Sequence, residues 1–172
     1  MVIRIRPMTE QDTSERLEQI MDLAMLANPY ATKNRYREFL LTLFQKFPHF
    51  AFVIVNRTRI IGYVMGSTDR NKGEVEDIAV LPAFRGRGFG RRLMRVELTA
   101  MRKIGIRRVI LWVHWRNSET IPFYYKLGFR FLRHVRDMTG PGGERSTLKR
   151  GSRSYVSVSY VAHRDRPTRP RR

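Results

Sequence analysis

The segment EVEDIAVLPAFRGRGFGRRLM, from Glu74 to Met94, changes its periodicity halfway along. Val75, Ile78, Ala79 and Val80 form a short apolar run that Leu81-Pro82 stops, which predicts a strand. Leu93, Met94, Leu98 and Met101 recur at three- and four-residue spacing, which predicts a helix. Between the two stands Arg85-Gly86-Arg87-Gly88-Phe89-Gly90, followed by Arg91. A glycine-rich turn feeding a helix N-terminus leaves backbone N–H groups converging on one spot, where the helix dipole also favours negative charge. Glycines let the backbone approach a bulky anion and the arginines add charge, so the turn reads as a phosphate or pyrophosphate site. The plainer reading of the same residues is a basic, flexible connection.

Spacing excludes two familiar phosphate motifs. The dinucleotide fingerprint Gly-x-Gly-x-x-Gly needs an acidic residue about twenty positions on. Here Gly86, Gly88 and Gly90 alternate, and the region after Ile104 reads Gly105-Ile106-Arg107-Arg108. A P-loop needs Lys-Ser/Thr after its last glycine, where this chain has Arg91-Arg92. What the segment resembles is the acetyl-CoA loop of the GNAT superfamily of N-acetyltransferases, Arg/Gln-x-x-Gly-x-Gly/Ala, met by Arg85, Gly88 and Gly90. A second block follows in order. The run Asn117 to Phe129, NSETIPFYYKLGF, resembles the family's Asn-x-x-Ala-Ile-x-Leu-Tyr-x-Lys-x-Gly-Phe, with Thr120 in place of the usual alanine.

The remaining chain is consistent with that resemblance along nearly its whole length. Val2 to Pro7 alternates as a strand, and Thr9 or Asp12 offers an N-cap to a helix carrying Leu17, Ile20, Met21 and Ala24. Asn28-Pro29-Tyr30 breaks that helix, and a second runs from about Asn34 to Phe47. Phe50–Val55 and Ile60–Ser67 read as a hairpin, with Gly62 and Gly66 marking bends or close approach. After the Glu74 strand and the long helix, capped by Gly105, Val109–Trp115 is a buried strand and Glu119–Leu127 a short helix. Phe129–Asp137 and Tyr155–Val161 are strands flanking a polar loop, Thr139–Ser154. The resemblance implies an α/β (α+β) fold with one domain, residues 1–163: a mixed, mostly antiparallel twisted sheet of about seven strands, four helices, and strands four and five splayed apart. Residues 164–172 read as a disordered Pro/Arg tail.

Composition bounds the rest. The chain has 172 residues and 42% hydrophobic content, enough to bury about 70% of its unfolded surface in one core. It has no apolar run near the roughly 18 residues of a membrane span and no signal-like N-terminus, so the expectation is a cytoplasmic protein without membrane contact. There is no cysteine, and the four histidines lack metal spacing, so no metal is expected. The net charge of +19 attracts polyanions, which admits an RNA or ribosome contact, and repels polycations. Oligomeric state is open between monomer and homodimer.

An acetyl transfer needs the thioester held, its carbonyl polarised, the amine deprotonated and the thiolate protonated. The resemblance places acetyl-CoA between strands four and five. It assigns Ile78, Ala79 and Val80 to the pantetheine and carbonyl, with the Val80 N–H as oxyanion donor. Arg85, Gly86, Arg87, Gly88, Phe89, Gly90 and Arg91 then surround the pyrophosphate, and Asn117 bonds the cofactor near the end of strand five. Tyr124 matches the family tyrosine beside the sulfur and is the candidate acid. Glu74, six residues before Val80, is the candidate base. Alternation puts Glu76 and Ile78 on its face and Asp77 on the other. Certain N-terminal acetyltransferases draw a base from strand five, five residues before the asparagine. That position is Trp112 here, so His114 is the alternative. Tyr30 and Tyr36 are acceptor-binding candidates from the two-helix wall, or packing residues. The acceptor is a peptide N-terminus or lysine attacked in a ternary complex, with a small-molecule amine or a non-catalytic nucleic-acid-binding role as rivals.

Overall fold

The computed structural model describes residues 3–28, 31–114, 120–136 and 154–161. Seven strands make one sheet: β1 (Ile3–Pro7), β2 (Ala51–Asn56), β3 (Arg59–Asp69), β4 (Lys72–Val80), β5 (Arg108–His114), β6 (Arg130–Arg136) and β7 (Ser154–Val161). Their order is β1-β2-β3-β4-β5-β7-β6. Among the described residues only β4 and β5 run parallel, and the other pairs are antiparallel. The parallel pairing runs from Lys72 opposite Arg108 to Val75 opposite Leu111 and then stops. The second half of β4 therefore lies beside a gap, as the resemblance implied.

The helices are α1 (Glu10–Glu15), α2 (Leu17–Ala27), α3 (Lys33–Lys46), α4 (Phe89–Lys103) and α5 (Ile121–Lys126). Ile20, Met21, Leu23 and Ala24 of α2 and Tyr36, Leu40, Leu43 and Phe44 of α3 cover one face of the sheet. Phe89, Leu93, Met94 and Met101 of α4, joined by Ile121 and Phe123 of α5 and by Leu127 just after it, cover the other. The amphipathic stripes read from sequence are thus the two sides of a three-layer core.

The expected first helix is two. Thr9 caps α1 in a reciprocal box with Asp12, whose buried carboxylate takes Arg6 at 2.5 and 2.8 Å and Arg16 at 2.9 Å. Arg16 leaves helical geometry at φ −121°, ψ 14°, while its side chain folds back onto Asp12, so the chain breaks there without Gly or Pro. The turn before β4 is tight: Asp69 pairs with Lys72, with Arg70 at φ 51°.

Gly66 and Gly73 have one purpose, close approach of α4. A Cβ on Gly66 would lie 2.6 Å from Met101 Cε and 2.8 Å from the Glu74 carbonyl, and one on Gly73 would lie 2.5 Å from Met101 Sδ. The notch they leave accommodates Glu97 of α4, fully buried, and among the described residues neither carboxyl oxygen has a hydrogen-bond partner. Among the described residues, no helix is long and apolar enough to cross a membrane.

Candidate active site

The β4–α4 connection has the geometry that an anion requires. Gly86 and Gly88 adopt φ of 74° and 79°, conformations that side chains rarely take, and a Cβ on either would meet nothing within 4 Å. Gly88 is the N-cap of α4 and supplies no capping side chain. The first intrahelical bond is Arg92 N–H to Gly88 O at 3.1 Å, so the N–H groups of Phe89, Gly90 and Arg91 precede it and face the open side. Arg85, Arg87 and Arg91 are exposed around this opening. Uncapped amides, open space and three arginines fit a pyrophosphate.

Two loop residues also take part in packing. The Phe89 side chain is buried, 6.3 Å from the Phe84 ring, with Arg92 over its face. Only its N–H is left to meet an anion. Gly90 also lets α5 come close: a Cβ there would sit 3.3 Å from the Phe123 ring. Arg85 braces the turn by donating from Nε to the Val80 carbonyl at 3.0 Å.

Beside the gap, backbone direction can be read from one bond. Leu81 donates to Ile61 O at 2.9 Å, so its amide points toward β3, and the preceding N–H, that of Val80, points the other way into the gap. The Ile78 N–H is also on the gap side but turns to the Asp77 carboxylate.

A β-bulge organises the acid–base groups. Met65 pairs with Asp77 but Gly66 pairs with Val75, leaving Glu76 as the extra residue. Side chains before and after it therefore swap faces. Val75 packs toward α4 with Ile78 and Val80, whereas Asp77 and Ala79 face α2 and α3. Strict alternation had separated Glu74 from Asp77; the bulge puts them on one face, with Glu76 hydrogen-bonded to Ser67 Oγ at 2.5 Å.

Burial pushes the Glu74 carboxyl up to about 7, helped by the neighbouring Glu76 charge and opposed by the Trp112 indole and by Lys72. Glu76 is raised too, by burial and then by Asp77. Asp77 is raised by burial against the hydrogen bonds of Tyr63, Tyr36, Asn28 and the Ile78 amide. Asn28 Nδ2 donates to Tyr36 Oη at 2.8 Å and to Asp77 Oδ1 at 3.2 Å. Tyr36 is 3% exposed and packs at 5.6 Å on Phe39. It lies in the floor beneath Asp77, a packing position.

Tyr124 on α5 stands edge-on to Phe123 and Phe129, at 5.1 and 6.0 Å. Its hydroxyl is raised by burial and then by the Asp77 charge, which keeps it protonated at neutral pH. His114 is the last residue of β5. Its side chain, Tyr30, Asn117, most of the Thr139–Ser154 loop and the tail from 164 to 172 lie outside the described residues. The residues that sequence reasoning missed are Trp112 as the partner of Glu74, and Asn28 and Tyr63 around Asp77. The acidic run Glu74-x-Glu76-Asp77 was the visible signal, but only the bulge shows that it is one cluster.

Comparison with known proteins agrees with this geometry. Residues 17–129 match the Acetyltransferase (GNAT) family. N-alpha-acetyltransferase 30 of Schizosaccharomyces pombe is 29% identical over 109 residues, 60% of this chain and 69% of that one. The fold is similar to Ard1 from Thermoplasma volcanium, with a TM-score of 0.76 at 22% identity, covering 95% of this chain and 100% of that one. It is also similar to the PaiA N-acetyltransferase of Thermoplasma acidophilum in complex with coenzyme A, at TM-score 0.71 and 20% identity over 94% and 99% of the two chains. The chain belongs to the GNAT family and is an N-acetyltransferase whose donor is acetyl-CoA.

Proposed function

We propose that the acceptor is the N-terminal amine of a protein or peptide and that Glu74 and Tyr124 handle the two protons. The observation that carries this is Glu74 itself, a half-buried carboxyl held up to about 7 close to the point where β4 and β5 part. The similarity to an N-alpha-acetyltransferase supports the acceptor class.

In this reading the amides of Gly88 to Arg91 with Arg85 and Arg87 hold the pyrophosphate, and the pantetheine lies along Ile78 to Val80. The amine nitrogen attacks the thioester carbon, and the Val80 N–H takes the developing oxyanion. Glu74 accepts the amine proton through a relay of waters, since Val80 lies six residues along β4 from it. As the C–S bond breaks, Tyr124 gives its proton to the thiolate. Asn117 bonds the cofactor near the end of β5.

The test is mass spectrometry of peptides incubated with acetyl-CoA. Acetylation of free N-termini, with no product from peptides blocked at the α-amine, is the expected result. Turnover of small amines with none of peptides would overturn the acceptor assignment.

A further inference from the structure

Asp77 is a buried carboxylate beside the gap to which the transfer steps above give no role, and burying its charge is costly unless donors surround it. Four do, from four parts of the chain. Tyr63 of β3 donates its hydroxyl to Oδ2, and Asn28 at the end of α2 donates from Nδ2 to Oδ1 at 3.2 Å. Tyr36 of α3 and the Ile78 N–H complete the set. Asn28 also donates to Tyr36 Oη at 2.8 Å, so the outer groups brace one another.

The location matters as much as the partners. Past Val75, β4 loses its pairing with β5 and is held by β3 alone, with Gly62, which has no side chain, opposite Val80. A peptide plane fixed on one edge can tilt, and a tilted amide is a poor donor because hydrogen bonds weaken steeply off line. The Ile78 amide lies on that free edge, two residues or about 7 Å before the Val80 amide, and Asp77 takes it. The Asp77 charge also reaches the Tyr124 hydroxyl on α5.

We propose that Asp77 is a positioning residue for the transfer step: its carboxylate takes the place of the missing β5 partner, ties the β4 backbone at Ile78 to α2, α3 and β3, and so aims the Val80 N–H at the thioester oxygen. This rests on the Val80 N–H as the oxyanion donor. Asp77 itself touches neither substrate nor reacting atoms. Its effect is felt where charge builds on the oxygen, in the transition state, and not in the affinity for the cofactor.

The experiment follows CoA release from acetyl-CoA by the full-length protein, both with an acceptor peptide and in the slow reaction with water. Both reactions pass through the same oxyanion, so the readout does not depend on the acceptor class. Rates are referred to CoA-binding sites counted by calorimetry, which removes any loss of folded protein. Asp77→Asn keeps the shape but exchanges an accepting oxygen for a donor and removes the charge. Its kcat per site should fall about tenfold, part of what losing an oxyanion donor outright costs, with CoA affinity nearly unchanged. Tyr63→Phe removes one bond to the carboxylate and keeps the charge, so a smaller fall is expected, and it decides alone if Asp77→Asn leaves no CoA-binding sites. The double variant should lose little more than Asp77→Asn, because the two residues act as one unit. An unchanged kcat per site in Asp77→Asn or in Tyr63→Phe, or losses that multiply in the double variant, would overturn the inference. Val80→Pro removes the donor itself, at an amide that belongs to no ladder and so tolerates proline. Full activity in Val80→Pro would overturn the oxyanion assignment and this inference with it, whereas an inactive Val80→Pro beside an unaffected Asp77→Asn would overturn this inference alone.

Discussion

Glu74 is the residue on which the chemistry depends. A base must be ionised to accept a proton, so kcat/KM should rise with pH through about 7, the value to which burial and Glu76 push this carboxyl. Glu74→Gln removes the group without changing shape, and its pH–rate profile should lose that limb while the rate falls roughly 10²-fold or more. A profile that keeps its limb would move the base to His114. Tyr124→Phe gives the complementary result. Because the hydroxyl is held protonated and acts on the leaving thiolate, kcat should drop with the limb in place and acetyl-CoA affinity nearly unchanged by calorimetry. The two variants separate the proton taken from the proton given.

At the scale of elements, the sequence revealed the scaffold but not its irregularities. Strand four, the glycine turn and α4 were legible because apolar spacing, Gly and Pro each act through local backbone physics. The bulge at Glu76 was not, because it depends on how β3 and β4 pair, and it reversed the face assigned to Asp77. The break at Arg16 was hidden for a similar reason, since it is held by an ion pair with Asp12 rather than by a helix breaker. Gly66 was marked as a close approach, but the approaching element was unknown until α4 was seen against it. Gly66→Ala tests that packing. The new methyl would meet Met101 Cε at 2.6 Å and the Glu74 carbonyl at 2.8 Å, so it should cost roughly 1–3 kcal/mol in denaturant unfolding. Unchanged stability would mean that α4 and the bulge have room between them. Because the Glu74 carbonyl is one of the contacts, activity should also fall in the folded variant.

For the whole molecule, pH sets stability from two sides through two buried carboxyls of opposite behaviour. Burial alone would raise Asp12, but Arg6, Thr9 and Arg16 outweigh it and hold Asp12 well below the usual carboxylate range. Its contribution is present above that range and lost as acid protonates it. Glu97 is the reverse. Burial with no compensating partner raises it well above the usual glutamate range, so the folded state holds a proton that the unfolded chain releases. Its stability contribution is complete below about 4.5 and declines, by up to about 1.4 kcal/mol per pH unit, as pH rises toward the folded value. Glu97→Gln keeps the shape and removes the titration. Unfolding free energies of the two proteins, measured from pH 5 to 9, should therefore diverge with rising pH, the variant becoming the more stable. The remaining charges are common to both proteins, so the difference isolates this one group from the +19 background. A constant difference across the range would mean that Glu97 stays ionised in the folded protein, and that a partner for its carboxylate exists in the notch between Gly66 and Met101.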